Sequence, residues 1–301
     1  RARAGPLRGR ARRTSRREFR EHIGMRVGIF GLGLIGSSLA LALRSARPDV
    51  HVVGSDPDPV TMHRALARRV TAAGDPRDAD VVVLAAPIPA LPELLAGLSG
   101  CRAVVTDVAS TKVRVLRWAA AAGVDLVGGH PMCGRERSGI GAAVPDLFQG
   151  APWILTRDEP QVTALVRAVG AVPVFMDAER HDRLVAGTSH AAFVLSAAYV
   201  LALAGDPEWP AMQEVAGTGF RDLSRLAAGD PALYAAIAST NRERMVESVR
   251  AVEASLARFR RHLEAGDGRL VELFEEARRI RERWARDSGF GMDPAAFGGD
   301  G

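Results

Sequence analysis

Residues 26–43 confine this chain to very few folds. A strand-like run, Arg26-Val-Gly-Ile-Phe30, leads into Gly31-Leu-Gly33-Leu-Ile-Gly36, and that segment opens an apolar helical stretch reaching Leu43. Glycines at this spacing suit a strand-to-helix turn too tight for side chains, a backbone that approaches a phosphate closely, and a helix packed hard on its strand. The first N–H groups of such a helix, here those of Leu34, Ile35 and Gly36, have no partner within it and are offered to an anion.

The next strand-like run, His51–Ser55, ends at Asp56. That is the distance from the glycines at which an acidic side chain accepts hydrogen bonds from an adenosine ribose. Pro57, Asp58 and Pro59 follow it, with no arginine among them. A carboxylate repels a 2′-phosphate, so the expected cofactor is NAD rather than NADP, held by Gly31, Gly33, Leu34, Ile35, Gly36 and Asp56. A glycine-rich turn serving only packing is the alternative reading.

Further β-branched runs alternate with helical stretches: Asp80–Ala85, Ala103–Asp107, Val124–Val127, Trp153–Thr156 and Val172–Met176. This order predicts an α/β domain over residues 25–178, a Rossmann-type doubly wound, mainly parallel sheet with helices on both faces. After Asp177 the β signals stop. An almost charge-free helical run, Asp182–Ala204, must bury its surface against neighbours or a second copy of the chain. Asp230-Pro231 supplies a cap and a first-turn proline for a helix reaching about His262, and another covers Leu270–Arg286. Residues 179–287 are therefore expected to be all-helical, followed by a flexible tail over 288–301.

The formal charge of +5 is unevenly spread. Residues 1–24 hold nine arginines against two glutamates, a net +7, which leaves −2 for the rest. So basic and weakly apolar a segment is expected to be a disordered extension. A nucleic-acid-binding arm is one reading of it and a misassigned start ahead of Met25 another; nucleic acid is not the expected partner. Ser15-Arg-Arg-Glu-Phe19 imitates a twin-arginine export signal, but the uncharged run after it, Val27–Leu43, holds the entire glycine fingerprint, which cleavage would remove. The expectation is a cytoplasmic protein without a membrane anchor. Two cysteines, Cys101 and Cys133, form no metal or disulfide pattern, and no metal is expected.

The segment Gly129-His130-Pro-Met-Cys-Gly-Arg-Glu136-Arg-Ser-Gly139 follows the apolar run Val124–Val127, so His130 stands near the carboxyl end of an expected strand, where open α/β sheets bind ligands. Together with the fingerprint, Thr106-Asp-Val-Ala-Ser110-Thr-Lys112, His181-Asp182, Thr188-Ser-His190 and Gly217-Thr-Gly-Phe-Arg221-Asp-Leu-Ser-Arg225, this segment resembles the prephenate/arogenate dehydrogenase family. The resemblance runs from about Met25 to Trp284. It implies an NAD-dependent oxidative decarboxylation of prephenate to 4-hydroxyphenylpyruvate in tyrosine biosynthesis, with arogenate to tyrosine as the alternative. It also implies a homodimer formed through the helical domain.

In the family's reaction a cyclohexadienol loses hydride from C4 to nicotinamide while its hydroxyl is deprotonated and its ring carboxylate leaves as carbon dioxide. The resemblance makes His130 the base, which a neutral imidazole suits; a hydrogen-bonded loop histidine is the plain alternative. Ser110 falls where the family has a serine reaching substrate and nicotinamide, although a helix cap uses the same residue type. Arg225 matches the arginine that grips the ring carboxylate; Arg221 is a further substrate contact, unless Arg221, Asp222 and Arg225 form a structural ion cluster. His190 is implied to bind substrate, and Glu136 matches an acid at the pocket mouth. The chain departs from the family at Phe193, where relatives often carry a second histidine.

Lys112 is the sole lysine beside 39 arginines. Either it falls there by chance, or an arginine's planar head does not fit. Two competing readings remain. A β-hydroxyacid dehydrogenase needs a lysine in its helical domain, and none is present after Lys112; a non-enzymatic NAD sensor requires His130 to be idle.

Overall fold

A computed structural model describes residues 24–134 and 139–288. Glu136, residues 1–23 of the basic extension and the tail from 289 lie outside the described residues. The first strands and helices alternate as β1 (Arg26–Phe30), α1 (Leu34–Ala46), β2 (His51–Ser55), α2 (Pro59–Ala67), β3 (Val81–Leu84), α3 (Leu91–Ala96), β4 (Val104–Asp107), α4 (Val113–Ala121) and β5 (Leu126–Val127). The five strands form a parallel sheet in the order β2-β1-β3-β4-β5. The order reverses between β1 and β3, the point at which open α/β sheets bind ligands beyond the strands' carboxyl ends. The glycine fingerprint, which follows β1, sits at that point.

Burial on both faces explains why β3 reads as an unbroken apolar run. Val81 and Val83 pack into the cluster that holds Leu39 and Leu43 of α1, whereas Val82 and Leu84 join Leu91, Leu95 and Val115 of α3 and α4.

The later strands depart from the expected single sheet. β6 (Gly129–Pro131), β7 (Pro152–Leu155) and β8 (Val172–Phe175), with α5 (Pro160–Ala168) between the last two, make a separate sheet in that order. Its β6–β7 pairing is antiparallel and its β7–β8 pairing parallel. The cause lies at Gly128-Gly129. The Gly128 N–H donates to Thr156 Oγ1 at 2.9 Å and the Gly129 N–H to Asp107 Oδ1 at 2.9 Å, so the chain leaves β5 after two residues and starts a new edge. His130 consequently stands within a strand, opposite Ile154, rather than in a loop after one.

The helical part begins with α6 (Ala178–Val185), whose cap, Asp177, accepts from the Arg180 N–H. A single π turn, Ala186–His190, joins it to α7 (Ala191–Ala204). Then come α8 (Trp209–Glu214), α9 (Thr218–Ser224), a 3₁₀ turn at Arg225–Ala228, α10 (Pro231–Thr240), α11 (Arg242–Ala265) and α12 (Arg269–Ser288). Asp230 caps α10 as expected, its carboxylate accepting from the Ala232 N–H at 2.8 Å. The one long helix expected from Asp230 to His262 is broken at Asn241, whose φ of −132° and ψ of 33° are not helical. The chain divides into two units, one through Met245 and one from Val246. Within the second, Phe259 and Phe274 pack at 5.3 Å between ring centres and join α11 to α12.

The stretch Ala178–Ala204 is long and apolar enough to cross a membrane by length and composition, and only 28% of its apolar window is buried. Its polar side chains His181, Asp182 and His190 are buried, while Val194 and Leu201 are exposed.

Candidate active site

Gly31 adopts φ +94°, and a Cβ there would lie 2.6 Å from the Ala85 backbone, so only glycine closes this turn. Gly36 is equally confined by the Gly31 carbonyl. Gly33 is different: a Cβ built on it meets nothing within 4 Å, which leaves open space before α1. That helix has no side-chain cap and no acidic residue in its first turn, so the N–H groups of Leu34, Ile35 and Gly36 are left for an anion. Asp56 closes the cradle, Oδ2 accepting the Leu32 N–H at 2.8 Å and Oδ1 the Asp58 N–H at 3.0 Å. An open anion site flanked by a carboxylate fits the pyrophosphate and ribose of a dinucleotide.

A buried polar cluster surrounds His130. Its Nδ1 lies 2.9 Å from His181 Nε2, and His181 Nδ1 lies 2.7 Å from Asp182 Oδ1. Asp182 also accepts the Lys112 N–H at Oδ1 (2.7 Å) and the Val113 N–H at Oδ2 (2.9 Å), capping α4 from α6. Asn241 Nδ2 donates to the Asp182 carbonyl at 2.8 Å and lies 3.2 Å from His190 Nδ1. On the other side, Lys112 Nζ donates to Asp107 and to the Gly129 carbonyl. Both side chains of the Lys112–Asp107 pair are completely buried.

Electrostatics follow from this enclosure. Burial holds His130 well below the usual histidine range, and the neighbouring His181, Lys112 and His190 push the same way. His190 is lowered to about 4, chiefly by burial and partly offset by Asp182. Burial also pulls Lys112 below the usual lysine range against the opposing charge of Asp107. Both His130 and His190 are therefore neutral at pH 7. Among the described residues, Nε2 of His130 makes no hydrogen bond, and His130 keeps 8% of its surface open. The Cys133 thiol, pushed up to about 11 by burial, is a filler rather than a nucleophile.

The other candidates fall at varied distances from this cluster. Ser110 does not cap α4, whose cap position is Lys112, and its hydroxyl makes no hydrogen bond among the described residues. Its carbonyl faces the His190 ring. His190 is fully buried, and its Nε2 makes no hydrogen bond among the described residues. Phe193, one turn beyond His190, stacks on Tyr234 at 4.1 Å between centres, and the Tyr234 hydroxyl donates to the Leu226 carbonyl. That bond, with those of Ser196 to Leu223 and Ala227, fastens the turn carrying Arg225. Arg225 is exposed and close enough to bias Tyr234 and Asp222. Arg221 is exposed on α9, where its Nε donates to Asp222 at 2.9 Å.

Residues 39–173 match the family model "Prephenate dehydrogenase, nucleotide-binding domain", and residues 177–276 match "Prephenate dehydrogenase, dimerization domain". A prephenate dehydrogenase of Lactococcus lactis is 30% identical over 270 residues, covering 84% of this chain and 76% of its own. The chain belongs to the prephenate dehydrogenase family. Among solved structures, the prephenate dehydrogenase of Aquifex aeolicus, in complex with hydroxyphenyl propionate and NAD+, is similar at a TM-score of 0.80 and 27% identity, covering 86% of this chain and 98% of its own. The Synechocystis arogenate dehydrogenase is similar at 0.74 and 29%, covering 86% and 100%.

Within this family fold the structure gives a task to Lys112, singled out in the sequence as the sole lysine, and adds Asp107 and Asn241, which sequence reasoning passed over. Asp107 and Lys112 together hold Gly129, and Asn241 links Asp182 to His190. The sole lysine was the one signal available for the first pair; Asn241 had none.

Proposed function

We propose that this chain is an NAD-dependent oxidoreductase that converts prephenate to 4-hydroxyphenylpyruvate with loss of carbon dioxide, a step in tyrosine biosynthesis. The observation that carries the reading is His130, a buried neutral imidazole whose Nδ1 is engaged and whose Nε2 is unpaired. Nε2 takes the proton of the C4 hydroxyl, as a base must that stays unprotonated at neutral pH. NAD, when bound on the fingerprint and Asp56, supplies the acceptor for the C4 hydride.

Ser110, with its hydroxyl uncommitted, is assigned to orient that C4 hydroxyl. Arg225 is assigned to the ring carboxylate, which a guanidinium can grip with two parallel hydrogen bonds until it departs as carbon dioxide. His190 is assigned to a substrate oxygen through Nε2, Arg221 is kept as a further substrate contact, and Glu136, outside the described residues, as a further acidic contact. Residues 25–178 act as the cofactor half and 179–287 as the substrate and dimer half. The exposed apolar residues Val194 and Leu201 on α7 support a homodimer, and a cytoplasmic enzyme is the localisation this reading proposes.

Arogenate, which carries an ammonium in place of the side-chain keto group of prephenate, is the second reading, favoured by the likeness to the Synechocystis enzyme. Steady-state assays with prephenate and arogenate, each with NAD and NADP, separate the two. His130→Asn tests the core of the proposal: turnover should fall by about 10²–10⁴ while NAD binding is unchanged. Near-full kcat in that variant would overturn it.

A further inference from the structure

We propose that Asp182 and His181 are positioning residues that set the tautomer of His130, so that its lone pair always lies on Nε2. Asp182 Oδ1 already accepts the Lys112 N–H and Oδ2 the Val113 N–H, so this side chain is an acceptor at both oxygens. His181 Nδ1, 2.7 Å from Oδ1, must then carry a proton. In the neutral imidazole that leaves Nε2 of His181 as an acceptor. Its neighbour at 2.9 Å, His130 Nδ1, must in turn be the donor. The remaining nitrogen of His130, Nε2, is left with a free lone pair. The tautomers are assigned from this network with both imidazoles neutral; an imidazolium at His181 would instead donate to His130 Nδ1 and leave the proton of His130 on Nε2, an outcome that 1H–15N spectra distinguish.

The inference rests on the reading of His130 as base but says something separate: without the relay, a neutral histidine places its proton on either nitrogen, and Nε2–H cannot accept one. When His130 takes the hydroxyl proton at Nε2, its Nδ1–H remains bonded to His181. The new positive charge then faces an imidazole backed by a carboxylate rather than an apolar wall. A buried carboxylate that orients a catalytic histidine through its second nitrogen is a recurring device in hydrolases, where replacing it by an amide selects the wrong tautomer. Here a second imidazole is interposed. The edge-on arrangement of the two rings, 71° between planes, suits a ring N–H of His130 directed at the in-plane lone pair of His181.

The arrangement also accounts for the burial of an Asp–His pair that touches no open surface, with His181 at 0% exposure and Asp182 at 2%. Asp182 has a structural duty at the start of α4, so variants at Asp182 mix two effects. His181 is the cleaner position. His181→Gln keeps an acceptor oxygen near the Nε2 position, whereas His181→Leu removes both ring nitrogens.

The test uses the full chain with 15N-labelled histidine. Long-range 1H–15N spectra at neutral pH should show His130 as the Nδ1–H tautomer in the wild type and as a mixture or the Nε2–H form in His181→Leu. In steady state, His181→Leu should lower kcat about 10²-fold or more with KM and NAD affinity near normal, and His181→Gln should recover part of the loss. An Nε2–H tautomer in the wild type would overturn the inference, as would unchanged kcat in a folded His181→Leu with a shifted tautomer. If His130→Asn is also active, the base assignment itself has failed. If His130→Asn is inactive while His181→Leu retains full kcat, only the relay has.

Discussion

Lys112 Nζ donates to the carbonyl oxygen of Gly129 at 2.5 Å, and Gly129 is the residue before His130. Asp107, the partner of Lys112, accepts the N–H of the same glycine at 2.9 Å. One buried ion pair therefore holds both backbone polar groups next to the proposed base. Buried pairs rarely stabilise a fold as well as apolar packing does, and their retention suits a role in fixing one geometry.

Removing one member of such a pair leaves an uncompensated buried charge. Lys112→Met should lower the unfolding free energy by about 3–5 kcal/mol. Lys112→Arg retains the charge but forces a planar head into a fully enclosed site, with an expected loss of about 1–3 kcal/mol. Denaturant unfolding of the two variants measures both. If neither loses stability, the pair does not hold the strand.

The pH dependence follows from the direction of the histidine shifts. His130 lies well below 6.5 because it is buried and faces His181, Lys112 and His190. A base is active when unprotonated, so the acid limb of kcat/KM should fall below pH 6.5 and activity should stay level from there through neutrality. For stability the unfolded chain binds more protons than the folded one between pH 6.5 and the folded value, about 4 for His190. Stability should therefore decline as pH falls through that window. An acid limb above 6.5 would contradict the burial of His130.

How much of this was legible in the sequence depends on the range of the interaction. The fingerprint was readable because its glycines answer local needs, a positive φ at Gly31 and a close backbone approach at Gly36. The splitting of the β runs into two sheets was not, since it depends on Gly128 and Gly129 meeting Thr156 and Asp107 from elsewhere in the chain. Likewise, helical periodicity continues through Ala186–His190 and through Asn241, and the π turn and the break arise where buried side chains converge. His181 and Asp182 were visible as a dipeptide, but their link to His130 spans 51 positions and exists only in the fold.

Asp56 should have two measurable duties. Its Oδ2 holds the Leu32 N–H inside the glycine turn, in addition to the contact proposed with ribose. Asp56→Ala should therefore weaken NAD binding and lower the unfolding free energy by about 1.5–3 kcal/mol, the scale of a charged hydrogen bond. Asp56→Asn retains an oxygen for Leu32 but loses the acceptor for the Asp58 N–H, and it removes the charge that repels a 2′-phosphate, so it should keep part of the stability and narrow the preference for NAD over NADP. Calorimetry with both cofactors and thermal unfolding check this. A wild-type preference for NADP would refute the cofactor assignment.

Arg225 presents the sharpest choice between chemistry and scaffolding. It sits in the turn after α9, fastened by Tyr234 and Ser196, and Asp222 beside it is already bonded to Arg221. If Arg225 grips the ring carboxylate, charge and fork geometry both matter. Arg225→Lys should then raise KM noticeably and Arg225→Ala far more, about 10-fold to 150-fold for the loss of 1.5–3 kcal/mol. Melting temperature should hardly move, because an exposed ion pair contributes little to stability. A scaffolding arginine gives the reverse signature, a lower Tm with a near-normal KM. Both quantities measured on the same two variants decide the matter, and an unchanged KM in Arg225→Ala removes this residue from the substrate site.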